Sequence, residues 1–278
     1  MLNFVLDVVT TAAILFIVAS GLLIIFGVMK IINFSHGAFL TVGGYASVAI
    51  TEAGLGWWWS VPFSLACGFV LGMVVERFVV RPLYARPLDA ILATWGLGII
   101  VGQLITLAFG RGVQMVNSPV RGAIHVAGAE YSTYRLILVG VALVIALVLG
   151  GLLNGTRLGL QTRAVIMNEA LARGLGISSA RVRFLTFCIG AALAAAAGTL
   201  ITPLSSVDPN MGVPWIVGAF MLVMVSGSSL VSLALACLVF GGAQVAVSTF
   251  VNPVLGALTI AVLAALLLRL RPEGFARG

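Results

Sequence analysis

Apolar residues fill this chain in long runs, separated by short polar breaks. A hydrocarbon layer of about 30 Å takes roughly 20 apolar residues per helix. The runs at 4–29, 36–53, 61–80, 89–109, 135–153, 182–202, 213–228, 231–250 and 253–270 predict nine spans. Backbone groups in lipid must be satisfied within the protein, so spans are helices or the strands of a closed barrel. The runs are continuous and lack the alternation of barrel strands. They predict an all-α, polytopic membrane protein with one domain over 1–278.

Two breaks carry candidate chemistry. The first is Lys30-Ile31-Ile32-Asn33-Phe34-Ser35-His36-Gly37. It reads either as an ordinary turn between spans or as a discontinuous helix whose freed backbone groups line a substrate path near the midplane. On the second reading Asn33, Ser35, His36 and Gly37 line the path, with His36 as its titratable group. Hydrogen bonding alone also accounts for His36. The second break is the polar, Arg-rich stretch from Leu158 to Arg183. Within it Leu160, Ala164, Met167, Leu171 and Leu175 recur at spacings of 4, 3, 4 and 4, which predicts one amphipathic helix over 158–176. Arg163, Asn168, Glu169 and Arg173 occupy the remainder, Gly174 and Gly176 end it, and Ser178 or Ser179 caps the next helix. Such a helix either lies among the headgroups or docks into a groove on a partner.

Smaller patterns add detail. Gly68-x3-Gly72 and Gly98-x3-Gly102 predict close helix packing. Pro203, Asp208-Pro209-Asn210 and Pro214 break the chain after the sixth span, with Asp208 starting a turn. Two loops exceed a tight turn, 110–134 on one side and 154–181 on the other.

Composition agrees with the pattern. The chain is 61% apolar and 8% charged, against about 25% charged in soluble domains, which excludes a water-soluble fold. The net charge of +7 follows the positive-inside rule rather than nucleic-acid binding. Eleven arginines (77, 81, 86, 157, 163, 173, 181, 183, 269, 271 and 277) fall on one side, and three (111, 121 and 135) on the other. The first side is therefore expected to be cytoplasmic, with the C-terminus inside and Trp57-Trp58-Trp59 at the outer interface. The N-terminal run carries Asp7, lacks a basic start and continues to Met29, so it reads as a span rather than a cleaved signal peptide. Cys67, Cys188 and Cys237 lie within spans and offer no disulfide framework or metal site. The single lysine, Lys30, stands outside any Gly-Lys-Ser/Thr loop, so ATP would be bound by partner subunits. No nucleophile–base set is visible, and no catalytic residue is assigned.

The run Gly27-Val28-Met29-Lys30-Ile31-Ile32-Asn33-Phe34-Ser35-His36-Gly37 resembles the signature of LivH-type permeases, which serve ABC importers of branched-chain amino acids. Arg157-Leu158-Gly159, Arg163-Ala164-Val165, Asn168-Glu169-Ala170 and Leu175-Gly176-Ile177 resemble that family's cytoplasmic loop, and Leu270-Arg271-Pro272-Glu273-Gly274 its ending. Arg86-Pro87-Leu88 and Leu92-Ala93-Thr94-Trp95-Gly96 look closer to the urea and short-amide branch. Ala38 and Val225-Ser226-Gly227-Ser228-Ser229 depart from familiar family positions.

The resemblance implies an inner-membrane permease with a broken helix and a coupling helix. It would carry branched-chain or hydrophobic amino acids, or a small solute such as urea. Its implied partners are a second homologous permease, two ATP-binding cassette subunits and a periplasmic binding protein. Arg163, Asn168, Glu169, Arg173 and Gly174 would then dock the ATPase. The rival expectation is a stand-alone secondary transporter or channel for a small polar solute.

Overall fold

The computed structural model describes residues 1–126, 129–271 and 274. Pro272, Glu273 and Arg277, which entered the ending and the charge count, lie outside them. Every predicted span falls on a helix: α1 Leu2–Met29, α2 His36–Glu52, α3 Ser60–Val75, α4 Pro87–Phe109, α5 Thr133–Gly155, α8 Ser179–Ile201, α9 Val213–Ser226, α10 Leu230–Phe250 and α11 Pro253–Leu270. Between α5 and α8 lie α6 Arg157–Met167 and α7 Glu169–Gly174. Among the described residues, seven helical segments are long and apolar enough to cross a bilayer. The exceptions are α2, with 17 residues, and α9, with 14. At 1.5 Å per residue they reach only about 26 and 21 Å.

The third span continues past α3 through a π-helical turn at Glu76–Val80 and a tighter turn at Arg81–Leu83. Pro82 offers no N–H to the carbonyl four residues back, so the regular ladder cannot run through it.

Helices α1 and α8 form the centre. Both are buried over most of their length, whereas α4, α5 and α11 are mostly uncovered. A helix that is apolar all round belongs in an interior, and α8 is also small all round, with Gly190-Ala191-Ala192-Leu193-Ala194-Ala195-Ala196-Ala197-Gly198. It packs against α1, α2 and α3 at backbone distance. A Cβ on Gly43 would come within 1.7 Å of the Ala195 carbonyl oxygen, and one on Gly198 within 1.9 Å of that of Leu40. Gly68 and Gly72 meet Ala195 and Ala191 in the same way, as their spacing predicted. The Thr199 hydroxyl donates to the Gly43 carbonyl at 2.7 Å.

The long loop after α4 carries structure of its own. Strands β1 Ala123–Val126 and β2 Ala129–Ser132 pair antiparallel, with His125 opposite Glu130. Tyr131 donates its hydroxyl to Asp7 at 2.8 Å, and Arg135 pairs with the same carboxylate at 3.1 Å. Gln114 and Val207 exchange both backbone hydrogen bonds, at 2.8 and 2.9 Å, which joins this loop to the segment entering α9.

The single helix expected over 158–176 is two helices. Asn168 adopts an extended conformation (φ −157°, ψ 101°) and its Oδ1 accepts from the Leu171 N–H at 2.9 Å. A short amide that satisfies the backbone outside a helix favours exactly such a cap. The chain therefore bends there and restarts. Helix α7 ends at Gly174 and Gly176 takes a positive φ of 83°. Ser178 caps α8 by accepting from the Arg181 N–H.

Candidate functional site: the α1–α2 break and the α6–α7 elbow

Helix α1 closes on Lys30, which adopts a left-handed φ of 55° and returns its N–H to Phe26 at 2.8 Å. The next residues run back along α1 rather than onward. Asn33 Oδ1 accepts from the N–H of Ser35 at 3.1 Å and from its hydroxyl at 2.5 Å, an Asx-type turn that starts α2. His36 Nε2 bonds the Val18 carbonyl at 3.0 Å. Val18 lies eleven residues before the end of α1, which is about 16 Å along the axis. Helix α2 therefore begins at mid-depth.

Helix α9 begins at the same place from the other direction. Its first flanking residue, Gly212, abuts Gly37 so closely that a Cβ would come within 1.9 Å of the Gly37 carbonyl oxygen. Thr41 Oγ1 accepts from the Gly212 N–H at 3.2 Å and donates to the Gly37 carbonyl at 3.1 Å. Two short helices thus start side by side inside the protein.

A cleft of about 270 Å³ opens against this junction, bordered by Phe34, Gly37, Thr41, Trp95, Gly98, Asn210 and Ile216 among others. Of the residues expected to line a path, only Gly37 reaches it. Asn33, Ser35 and His36 are buried behind the wall, at 3%, 0% and 0% exposure, and fix its position. Gly98 and Gly102 do not serve close helix packing. A Cβ on Gly98 would meet the Phe34 carbonyl at 3.9 Å, and one on Gly102 the Pro209 carbonyl at 3.4 Å and Asn210 Oδ1 at 3.8 Å, and both glycines border the cleft. Thr41, Trp95 and Asn210 were missed as cleft residues. The Pro- and Asn-containing break before α9 was the available signal for Asn210.

The second region is the elbow of α6 and α7. Its buried side is small: Val165 and Ala172 pack with Val28 of α1 and Val182 of α8. The predicted apolar stripe points the other way. Leu160, Met167, Leu171 and Leu175 are 63%, 85%, 62% and 72% exposed. Glu169 is the electrostatic hub, paired with Arg173 at 2.6 Å and with Arg183 at 2.5 Å. Partial burial pushes its carboxyl up, but a hydrogen bond with Ser179 and the charges of Arg183 and Arg173 outweigh that and hold it below the usual carboxylate range. Arg173 also donates to Ser179 at 2.9 Å, and Arg163 to Asn154 at 2.9 Å. Gly174 is exposed, with nothing near its missing Cβ. Beyond Arg183 stands Tyr84, whose hydroxyl donates to the fully buried Glu76.

This architecture has relatives. The family described as "Branched-chain amino acid transport system / permease component" matches residues 4–269. The chain belongs to that family of transport permeases. It is 30% identical over 203 residues to the high-affinity branched-chain amino acid transport system permease protein LivH of Escherichia coli K12, a match covering 66% of this chain. That match spans 65% of the length of LivH, just under two thirds. It is 27% identical over 212 residues to the corresponding permease BraD of Pseudomonas aeruginosa, covering 70% of this chain and 69% of BraD. The fold is similar to that of a chain of PsaBC from Streptococcus pneumoniae, solved in complex with Fab. The TM-score is 0.51 at 16% identity, over 97% of this chain and 92% of that one.

Proposed function

We propose that this chain is the permease subunit of an ATP-driven importer in the bacterial inner membrane, carrying branched-chain or related aliphatic amino acids. The observation that carries the proposal is the outward apolar stripe of α6 and α7. Four large apolar side chains stand exposed on a pair of helices braced against α1 and α8 by Val165, Ala172 and Glu169. An amphipathic helix that points its apolar face away from its own protein is built to enter a groove on another. The arginine distribution supports a cytoplasmic position for this face.

The partners are an ATP-binding cassette dimer beneath the elbow, a second permease beside this one and a binding protein at the outer face. The chain lacks a phosphate-binding loop, so ATP is held by the cassette subunits. Closure of that dimer displaces α6 and α7, and the contacts to Val28 and Val182 pass the motion to α1 and α8. Arg163, Asn168, Glu169, Arg173 and Gly174 shape the docking elbow. The path runs along the cleft at the α2–α9 junction, with Gly37 on its wall and Asn33, Ser35 and His36 holding that wall in place. Trp95, Ile99, Ile216 and Val217 border the cleft. Burying an aliphatic side chain there is worth about 1.5–3 kcal/mol, a gain that urea cannot make.

The test is uptake into proteoliposomes by the chain with its genomic-neighbour subunits, offered labelled leucine and labelled urea with and without ATP. ATP-dependent leucine uptake is expected. Urea uptake would move the substrate to the amide class, and ATP-independent uptake by this chain alone would make it a carrier or channel.

A further inference from the structure

Where α3 gives way to its π-helical turn, a cavity of about 540 Å³ lies against the first turn of α8. Three arginines border it: Arg77 and Arg81 from the end of α3, and Arg181 from α8. Among the described residues, the two acids of this region point elsewhere. Glu76 is buried and bonded to Tyr84, and Glu169 is taken by Arg173 and Arg183. Among the described residues Arg77, Arg81 and Arg181 form no ion pair. Three arginines thus border one hollow, and among the described residues none of them has an acidic partner. The N-terminus of α8, with Ser178 and Ala180 also on the wall, adds its positive helix end.

The other wall is apolar. Met73, Val74 and Phe78 border the same cavity and are 38%, 47% and 73% exposed. Val74 is shared with a second hollow of about 600 Å³, a wholly apolar groove that follows α3 and α4 past Val70, Leu71 and Leu104. A basic hollow at the end of a spanning helix thus neighbours an apolar groove, with Val74 on the wall of both.

We propose that this seam holds one anionic phospholipid of the phosphatidylglycerol class, its phosphate among Arg77, Arg81 and Arg181 and an acyl chain along the α3–α4 groove. Guanidinium groups match phosphate oxygens in paired hydrogen bonds, and basic pockets between spanning helices attract anionic headgroups. A docking protein would find Val70 and Val74 at hydrocarbon depth, where a lipid chain belongs. The site is independent of the transported substrate.

The experiment is native mass spectrometry of the full chain in detergent, titrated with phosphatidylglycerol, phosphatidylcholine of the same chains, and glycerophosphoglycerol. Wild-type protein is expected to retain one phosphatidylglycerol about tenfold more tightly than phosphatidylcholine. The Arg77→Gln/Arg81→Gln/Arg181→Gln variant should lose that preference, while Arg86→Gln, which removes an exposed arginine paired with Asp89, should keep it. Val74→Trp, which fills the groove and leaves the arginines intact, should weaken phosphatidylglycerol but not glycerophosphoglycerol. Equal retention of the two lipids by wild type would overturn the proposal, as would a preference untouched by Arg181→Gln alone, the variant to use if the triple one fails to fold. Equal binding of glycerophosphoglycerol and phosphatidylglycerol would remove the acyl groove from the site and overturn it likewise.

Discussion

The guanidinium of Arg183 lies 4.7 Å over the ring of Tyr84. The same guanidinium holds Glu169 at 2.5 Å, and Tyr84 in turn donates to Glu76. One side chain thus links the elbow to the end of α3. Replacing Arg183 by Met should leave ATP hydrolysis of the assembled complex in place and lower uptake. Networks of this kind change coupling by about 0.5–2 kcal/mol, or roughly 2- to 30-fold. Paired ATPase and uptake rates decide it, and parallel loss of both rates would assign Arg183 to assembly.

Charge reversal at the hub makes a sharper case. Glu169→Arg sets a third positive group beside Arg173 and Arg183, and uncoupled hydrolysis is expected. Adding Arg183→Glu restores one opposite pair and should recover part of the uptake. No recovery in the double variant would mean that Glu169 acts on the ATPase rather than on α8.

The depressed carboxyl of Glu169 has a pH signature. Its folded value lies below the unfolded carboxylate value of about 4.3. Its stabilisation is therefore complete above that unfolded value and is lost as pH falls through the folded one. The difference in melting temperature between wild type and Glu169→Gln should be constant from pH 7 to about pH 5 and shrink only below that. A difference that narrows already at pH 6 would point to another group.

Backbone-distance packing on α8 predicts an unequal pair of glycine substitutions. Gly198→Ala should destabilise by about 1–3 kcal/mol or more, because the new methyl group meets a carbonyl oxygen. Gly96→Ala, on α4 with nothing within 4 Å, should be neutral or slightly stabilising, since alanine is the better helix former. Thermal unfolding in one detergent compares them directly.

His36 is a tie between α2 and α1 rather than a group exposed to solute. His36→Leu removes the hydrogen bond to Val18, worth about 1 kcal/mol. The variant should melt at a lower temperature, with reduced uptake at every pH tested. Unchanged stability with lost uptake would return the imidazole to the path.

The spans were legible because a run of about twenty apolar residues has few other uses. The return of the chain after Lys30 was legible from its polar residues. Which residues faced the cleft was not. Asn33, Ser35 and His36 are polar, and polarity alone does not separate a lining residue from one that satisfies buried backbone. The stripe of Leu160, Met167, Leu171 and Leu175 had the right period, but periodicity does not say which face of a helix meets its own protein. Asn168 could have been read as a cap restarting the helix at Glu169. The partnership of Glu169 with Arg183, fourteen residues on, needs the fold that brings α7 beside α8.

The bridge between Gln114 and Val207 makes the loop after α4 a handle. Two backbone hydrogen bonds fasten the loop to the strand of chain that enters α9, five residues ahead of Gly212. From Gly212 the next atoms are the backbone of Gly37, with no side chain between to cushion them. A protein seated on that loop would therefore act where α2 and α9 begin without sending a single residue there.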